Sequence, residues 1–475
     1  MDFTLLFPPI RKSESYNPFY KTPMFPPLGL ALIGAVLEQN GYKVKIYDCE
    51  VSRISLIKLR NLIKKENPKA IGITASTSIF FQSRRTAKYL KMHFPDIPII
   101  MGGPHITIFP NETLKQNPFI DFIVIGEGEK TSLELFDAIE KNKQNFSDIR
   151  GIGYRENGHI RITKSREYIK DIDELPIPAR HLLPIKLYKP SERIVKRPPA
   201  THAIFSRGCP FRCGFCSKAI WGRTIRERSA EKVVEEILHL KEKYGFRDIV
   251  FADDTFTINK KRVLKICDYL IKNKIDIAWS CLTRVDCVDR ELLIKMKASG
   301  CHQIGYGVES GNQEMLDLMK KDITLDQIRK VFQMTHEVKI DTRTFIMLGL
   351  PGETAEMAQK SIRFLKEIDP DFANIYIYTP YPGTELFEIA KERGEIKNFN
   401  WIDFDKFSPV YIPYGRTRSE IVKTYKQAFR EFYLSLHYIK KRLKKIDNLY
   451  EIKKNLTLLY RLIKGITANP TLKYH

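Results

Sequence analysis

No stretch of about 18 uninterrupted apolar residues, the length that spans a bilayer as a helix, occurs in the 475 residues. The opening "MDFTLLFPPI" carries an acid where a secretory leader would carry a basic region. Both absences lead us to expect an intracellular, cytoplasmic protein. Cysteine is scarce. Eight in so long a chain, several inside apolar stretches such as "AWSCLTRVDCV", do not make a disulfide framework and suit a reducing compartment. Low-complexity tracts and short-period repeats are also missing. The length exceeds one ordinary core and suits two or three domains.

What is present is an alternation of short apolar runs with amphipathic segments. Up to about residue 145 the runs "FTLLFPP", "KVKIYD", "AIGITAS", "IPIIMGG" and "DFIVIGEGE" alternate with helical patterns, which predicts a doubly wound parallel sheet. "GIGYRENGHIRIT" reads as a hairpin about Asn-Gly. A Pro-punctuated connection follows, "DELPIPARHLLP" to "KRPPA", and is the linker candidate. From Thr201 six further runs, "THAIFS", "DIVFAD", "DIAWSC", "QIGYGVE", "TRTFIML" and "ANIYIYT", each precede a helical segment. They predict an incomplete (β/α)6 barrel with functional residues at the C-terminal ends of its strands. After about Gly394 the chain turns irregular and then helical.

Within "SRGCPFRCGFCSK", three cysteines, Cys209, Cys213 and Cys216, fall in eight residues at the end of the first barrel strand. Structural zinc is closed by four ligands, usually in paired knuckles, and no second CxxC pair exists. A four-iron cluster on three thiolates leaves one iron open, as a catalytic cluster needs.

CxxxCxxC with an aromatic residue, Phe215, before the last cysteine resembles the radical S-adenosylmethionine (SAM) enzymes. The resemblance implies a 4Fe-4S cluster on Cys209, Cys213 and Cys216. It also implies that SAM chelates the open iron and is cleaved to a 5′-deoxyadenosyl radical, with ferredoxin or flavodoxin as electron donor. Asp253 and Asp254 in "FADDTF" stand where the family meets the SAM amino group, and Arg284 in "TRVD" where it faces the carboxylate. Glu309 in "GYGVESGN" resembles the ribose-contacting acid, and Gly349 and Leu350 in "FIMLGLPGET" the segment along the adenine. Cys49, Cys267, Cys281, Cys287 and Cys301 are expected to be small buried hydrophobes. No cysteine beyond Cys301 remains for a second cluster in a C-terminal extension.

The N-terminal part lacks the three cysteines of the tRNA methylthiotransferases and is instead similar to a cobalamin-binding domain. Thr74, Ser76 and Ser78 follow the third strand, Gly102 and Gly103 the fourth, and Gly126, Glu127 and Gly128 the fifth. Such small and hydroxyl-bearing loops let backbone approach a nucleotide tail at the crevice of an open sheet. The Asp-x-His-x-x-Gly signature that gives cobalt a histidine is absent. The segment after the first strand reads "PPIRKSESYNPFYKTPMFPPLGL", so the resemblance implies base-off cobalamin, with His105 in "GGPH" as the nearest substitute. "GEGEKT" is no phosphate loop, because Glu129 stands where glycine is needed. "GYGVESG" has the wrong glycine spacing for a dinucleotide fingerprint.

The resemblance therefore implies a cobalamin-binding domain over 1–145, a hairpin and linker over 146–200, a radical SAM barrel over 201–394 and a basic helical region over 395–475. It implies a C-methyltransferase acting on an unactivated carbon and using SAM twice. The alternatives are a cyclase or other carbon-skeleton enzyme without net methylation, and a non-catalytic cobalamin or SAM sensor. The net charge is +23, and fifteen Lys and Arg against four Asp and Glu fall between Arg416 and His475. Apolar residues at Phe429, Phe432, Leu436, Ile439, Leu443 and Ile446 predict one face of a long helix, with Lys440, Lys441, Arg442, Lys444 and Lys445 at its end. The tail reads as a barrel cap, as a peripheral contact with anionic lipid suited to a lipid or isoprenoid substrate, or, last, as an RNA contact without a recognisable module.

Overall fold

The computed structural model describes residues 1–10, 25–393, 395–396, 399–446, 452, 455–457 and 459–460. Residues 11–24, most of the segment that replaces the histidine signature, lie outside the described residues.

The first sheet contains β1 (Phe3–Phe7), β2 (Val44–Asp48), β3 (Ala70–Thr74), β4 (Ile99–Gly102), β5 (Phe122–Val124), β6 (Ile152–Glu156) and β7 (His159–Ile162). Their order is β2-β1-β3-β4-β5-β6-β7. The first five strands pair in parallel, as expected from Val- and Ile-rich runs covered by helices on both faces. The chain passes from β2 to β3 across β1, which places a switch point, and hence a crevice, at the C-terminal ends of β1 and β3. The expected hairpin forms at Asn157 and Gly158, both at positive φ, and its strands extend this sheet in antiparallel fashion.

The Pro-punctuated connection is fastened to both halves of the molecule. Leu183 enters the first sheet's core, and Tyr188 donates a 2.9 Å hydrogen bond to Asp48. Arg180, fully buried, pairs with Glu236 at 2.9 Å and donates to the carbonyl of His202.

The second sheet is the incomplete barrel. After β8 (Ala200–Ala203), the two-residue strands β9 (Ser206–Arg207) and β10 (Arg226–Glu227) form a small antiparallel pair. β11 (Asp248–Phe251), β12 (Ala278–Thr283), β13 (Cys301–Glu309), β14 (Asp341–Leu348) and β15 (Phe372–Ile377) then complete the order β15-β14-β13-β12-β11-β8, all parallel. Trp279, Phe251, Ile304 and Ile375 pack outward against the helices, leaving the other face of each strand to line the interior.

The tail departs from one long helix. A helix over Arg418–Tyr433 opens with a capping box at Thr417 and Glu420 and buries Ile421, Tyr425, Phe429 and Phe432 in the barrel core. Ser435 then interrupts the pattern. Its hydroxyl donates to the Phe432 carbonyl and accepts from the Tyr438 amide, starting a second helix, Leu436–Leu443. The restart turns the face: Tyr438 and Arg442 are buried, while Leu436 and Leu443 are 76% and 61% exposed. The basic end is also partly spent on the barrel, since Lys441 and Lys445 pair with Asp371, itself 1% exposed.

Candidate active site

Gly208 carries the turn into the cysteine segment at φ +82°, and a Cβ there would collide with the Thr224 carbonyl. The loop is held from the barrel side: the Gly214 amide donates to the Met319 carbonyl, and the Leu386 amide donates to Gly214. Cys209 is buried with its Sγ 3.7 Å from Thr255 Oγ1, while Cys213 and Cys216 are half-buried. All three are free thiols. Among the described residues no group of three or more His, Cys, Asp or Glu side chains is placed to hold a single metal ion.

Cationic groups surround it. Arg284 approaches Cys213 Sγ at 3.6 Å and stacks over Phe211 at 3.7 Å. Lys321 lies 5.6 Å from the Phe215 ring centre. Burial opposes the charge on Lys218, but Cys216, Cys209 and Asp254 around it raise its pKa above the ordinary lysine value. Burial raises the Cys216 thiol above its ordinary value, and the neighbouring Lys218 charge opposes that shift in favour of thiolate, the form that binds iron.

The other expected SAM contacts divide. Asp254 is exposed and faces the cavity described below. Asp253 is fully buried, accepting from the Phe205 amide and Ser206 hydroxyl, and burial pushes it up to about 6. It therefore braces the strand end ahead of the cysteines and offers no surface to an ammonium. Arg284 makes a two-point pair with Asp286 and donates to the Lys321 carbonyl. Glu309, at φ +69°, pairs with Lys321 at 3.1 Å. Gly349, at φ +82°, donates its amide to Glu353, a buried carboxyl pushed up to about 7 by that burial. Glu353 was missed by sequence reasoning, which named only Gly349 and Leu350 in this segment, as the stretch along the adenine.

A cavity of about 630 Å³ lies between the two sheets. One wall is the switch-point crevice, with Phe7, Thr74, Gly102, Gly103, Gly126 and Gly128, and a slot that runs inward past Leu5, Gly72 and Phe136. The other wall is Ser206, Arg207, Ser217 to Gly222 and Asp254 from the barrel. A Cβ on Gly103 would lie 2.6 Å from the Ala75 carbonyl, so the narrowing there requires glycine. A glycine-lined slot open to the cysteine loop fits a nucleotide-tailed cofactor presented to a cluster. Ser76 and Ser78 are not in this lining; their hydroxyls bond each other at 3.3 Å. Gly29 and Ser132 are in it and were not foreseen. His105 points elsewhere, its ring 3.9 Å from Phe80 and 5.3 Å from Trp401, and burial lowers it to about 4.

Glu127 lines the cavity, but its carboxylate is spent on a clamp between the halves. It pairs with Arg207 and Arg226, both at 2.8 Å, and accepts the Ile169 amide, while Glu129 takes the other arm of Arg207 at 2.6 Å. All four side chains are buried. Cys287 is a correction to its group. It is half-exposed beside Arg284 rather than a core hydrophobe, and burial with Asp286 nearby pushes it up to about 12, so it stays a thiol. Cys49, Cys267, Cys281 and Cys301 are buried.

The radical SAM superfamily is matched over residues 203–365, and the B12 binding domain over residues 23–136. An uncharacterised methyltransferase of Pyrococcus horikoshii is 36% identical over 86% of this chain and 88% of its own length. An anaerobic magnesium-protoporphyrin IX monomethyl ester cyclase of Rubrivivax gelatinosus is 30% identical over 87% of this chain and 75% of its own. The structure of the cobalamin-dependent SAM radical enzyme OxsB, with aqua-cobalamin and SAM bound, superimposes with a TM-score of 0.75 at 18% identity, covering 98% of this chain and 71% of that one. The chain thus belongs to the radical SAM enzymes that carry an N-terminal B12-binding domain.

Proposed function

We propose that this enzyme is a cobalamin-dependent C-methyltransferase whose cluster is held by Cys209, Cys213 and Cys216. The observation that carries the reading is the shared cavity, with the glycine-lined crevice on one wall and the residues just after Cys216 on the other. When bound, cluster and SAM supply a carbon radical that removes hydrogen from substrate, and cobalamin supplies a methyl carrier. The chain's part is positional. Asp254 faces the cavity and offers a carboxylate to the SAM ammonium, while Arg284 and Lys321 line the cysteine loop with positive charge for its carboxylate. Glu309 and the Gly349–Leu350 turn are assigned to the ribose and adenine.

The domains proposed are those read from the sequence, with the hairpin assigned to the first. A cyclase reading is favoured by the relative from Rubrivivax gelatinosus. Feeding methyl-deuterated methionine to cells with and without the gene separates the two. A gene-dependent compound carrying the deuterated methyl group supports methyl transfer, and gene-dependent compounds without it leave the cyclase.

Cobalamin in this site is proposed to be base-off without a histidine ligand, because His105 is packed among aromatic rings away from the cavity. Bound cob(II)alamin is expected to lack nitrogen hyperfine splitting in its paramagnetic spectrum. A nitrogen pattern would contradict this.

The exposed Leu436, Ile439 and Leu443, with Lys440 and Lys444 beside them, favour a peripheral contact with anionic membranes. Each basic residue at such a surface adds about 1 kcal/mol. The protein is expected to co-sediment with anionic but not neutral vesicles. Changing Lys440 and Lys444 to glutamine should weaken that binding, and sedimentation insensitive to vesicle charge would return the helix to a simple cap.

A further inference from the structure

Lys406 is a basic residue of the barrel interior that the proposed chemistry leaves unused. Its carbonyl accepts the Ile377 amide at 3.0 Å, which fastens its segment beside the end of β15. Its own φ is +71°, in the left-handed region that non-glycine residues seldom adopt. The neighbouring acid, Asp405, is committed to the Phe407 and Ser408 amides at 2.9 and 2.8 Å. Among the described residues no carboxylate pairs with the Lys406 ammonium. That ammonium lies 5.8 Å from the ring centre of Tyr376 and 6.0 Å from that of Tyr381.

The side chain is solvent-accessible, yet the protein around it is dense enough that burial lowers its pKa below the ordinary lysine value. Phe345 and Tyr376 alternate with the core residues Ile346, Ile375 and Ile377 along β14 and β15, so the ring that Lys406 approaches faces the interior of the half-barrel. Its wall is aromatic: Phe345 stacks on Tyr376 with ring centres 6.4 Å apart, and Tyr376 meets Phe407 at 5.9 Å. The Tyr381 hydroxyl is spent on the Phe404 carbonyl. Tyr376 also feels the charges of Arg343, near the start of β14, and of Glu309, at the end of β13, which places this wall on the same interior surface as both strands. A partly desolvated ammonium is costly without a counter-charge, and ring faces supply only part of one.

We infer that Lys406 anchors a carboxylate or phosphate of the substrate, whose apolar or planar body lies along Phe345, Tyr376 and Phe407. This rests on the reading above that the chemistry occurs at the barrel mouth. The substrate class is therefore an organic acid or phosphate ester with an extended unsaturated or hydrocarbon part, and a neutral lipid is excluded.

The test compares metabolites of cells carrying the intact gene, a deletion, Lys406→Met or Lys406→Arg. The compound that accumulates in the deletion strain is the substrate, whichever reaction it undergoes. It is expected to be retained on an anion exchanger, with phosphatase sensitivity separating phosphate from carboxylate. Lys406→Met should lower its consumption about tenfold or more, as loss of a charge-assisted hydrogen bond does, and Lys406→Arg should restore part of it. A neutral accumulating compound, or Lys406→Met cells that consume it like the intact strain, overturns the inference. An accumulating acid whose product gains no deuterated methyl upholds the anchor and removes the methyltransferase reading instead. On the purified holoenzyme, trinitrobenzenesulfonate at pH 8, which attacks neutral amines, should modify Lys406 ahead of Lys440 and Lys444, and phenyl phosphate should slow it. A Lys406 that phenyl phosphate leaves as reactive as before also overturns the inference.

Discussion

A variant with Cys209, Cys213 and Cys216 all changed to alanine is expected to purify folded but without iron, and to form no 5′-deoxyadenosine from SAM. The loop does not depend on the thiols for its shape. Gly208 sets its entry, and backbone bonds from Gly214 to Met319 and Leu386 hold its middle. Iron analysis after anaerobic reconstitution, beside a circular dichroism spectrum, checks both halves of the expectation. Four irons retained per chain would defeat the cluster assignment.

The second large effect is expected at the clamp between the halves. Arg207 stands one residue from Gly208 and two from Cys209, and it reaches across to Glu127, at the end of the loop that follows β5, and to Glu129, in the first turn of the helix Gly128–Glu140. Arg207→Met strands Glu129 in a buried setting, and removing one partner of a buried pair costs about 3–5 kcal/mol. Glu127 keeps Arg226 and the Ile169 amide, so the loss falls on the cysteine side of the crevice. The variant is expected to unfold at lower urea and to lose bound cobalamin on gel filtration. Arg207→Met combined with Glu129→Leu should recover part of the stability, because no lone charge remains buried. Unchanged stability and retention in Arg207→Met would show that the clamp does not set the crevice.

The two sheets were legible because their evidence is local. Val- and Ile-rich runs repeat between amphipathic helices, and Asn157–Gly158 names its own turn. The cysteine triplet was legible for the same reason: its spacing lies within eight residues. The clamp was not, since Arg207 and Arg226 meet Glu127 across 80 and 99 residues of chain, and acids in a glycine loop read only as a bar to phosphate. Asp253 and Asp254 are adjacent and alike in sequence, and only the direction of each side chain separates a brace from a cavity-facing acid. The apolar spacing of the tail runs unbroken through Ser435, yet one hydroxyl serving two turns restarts the helix and turns Leu436, Ile439 and Leu443 outward. Lys406 gave no signal at all, because what distinguishes it is the company of Tyr376 and Tyr381 and the lack of a paired acid among the described residues.

The central claim is that one cavity brings SAM to a cluster and to cobalamin. It is tested most directly by incubating the reduced, cobalamin-loaded enzyme with SAM and measuring two products of SAM together. The account predicts both 5′-deoxyadenosine, from cleavage at the cluster, and S-adenosylhomocysteine, from methyl transfer to the carrier, with the first lost in the triple-alanine variant. Absence of both products from enzyme that holds four irons and a full complement of cobalamin would contradict it.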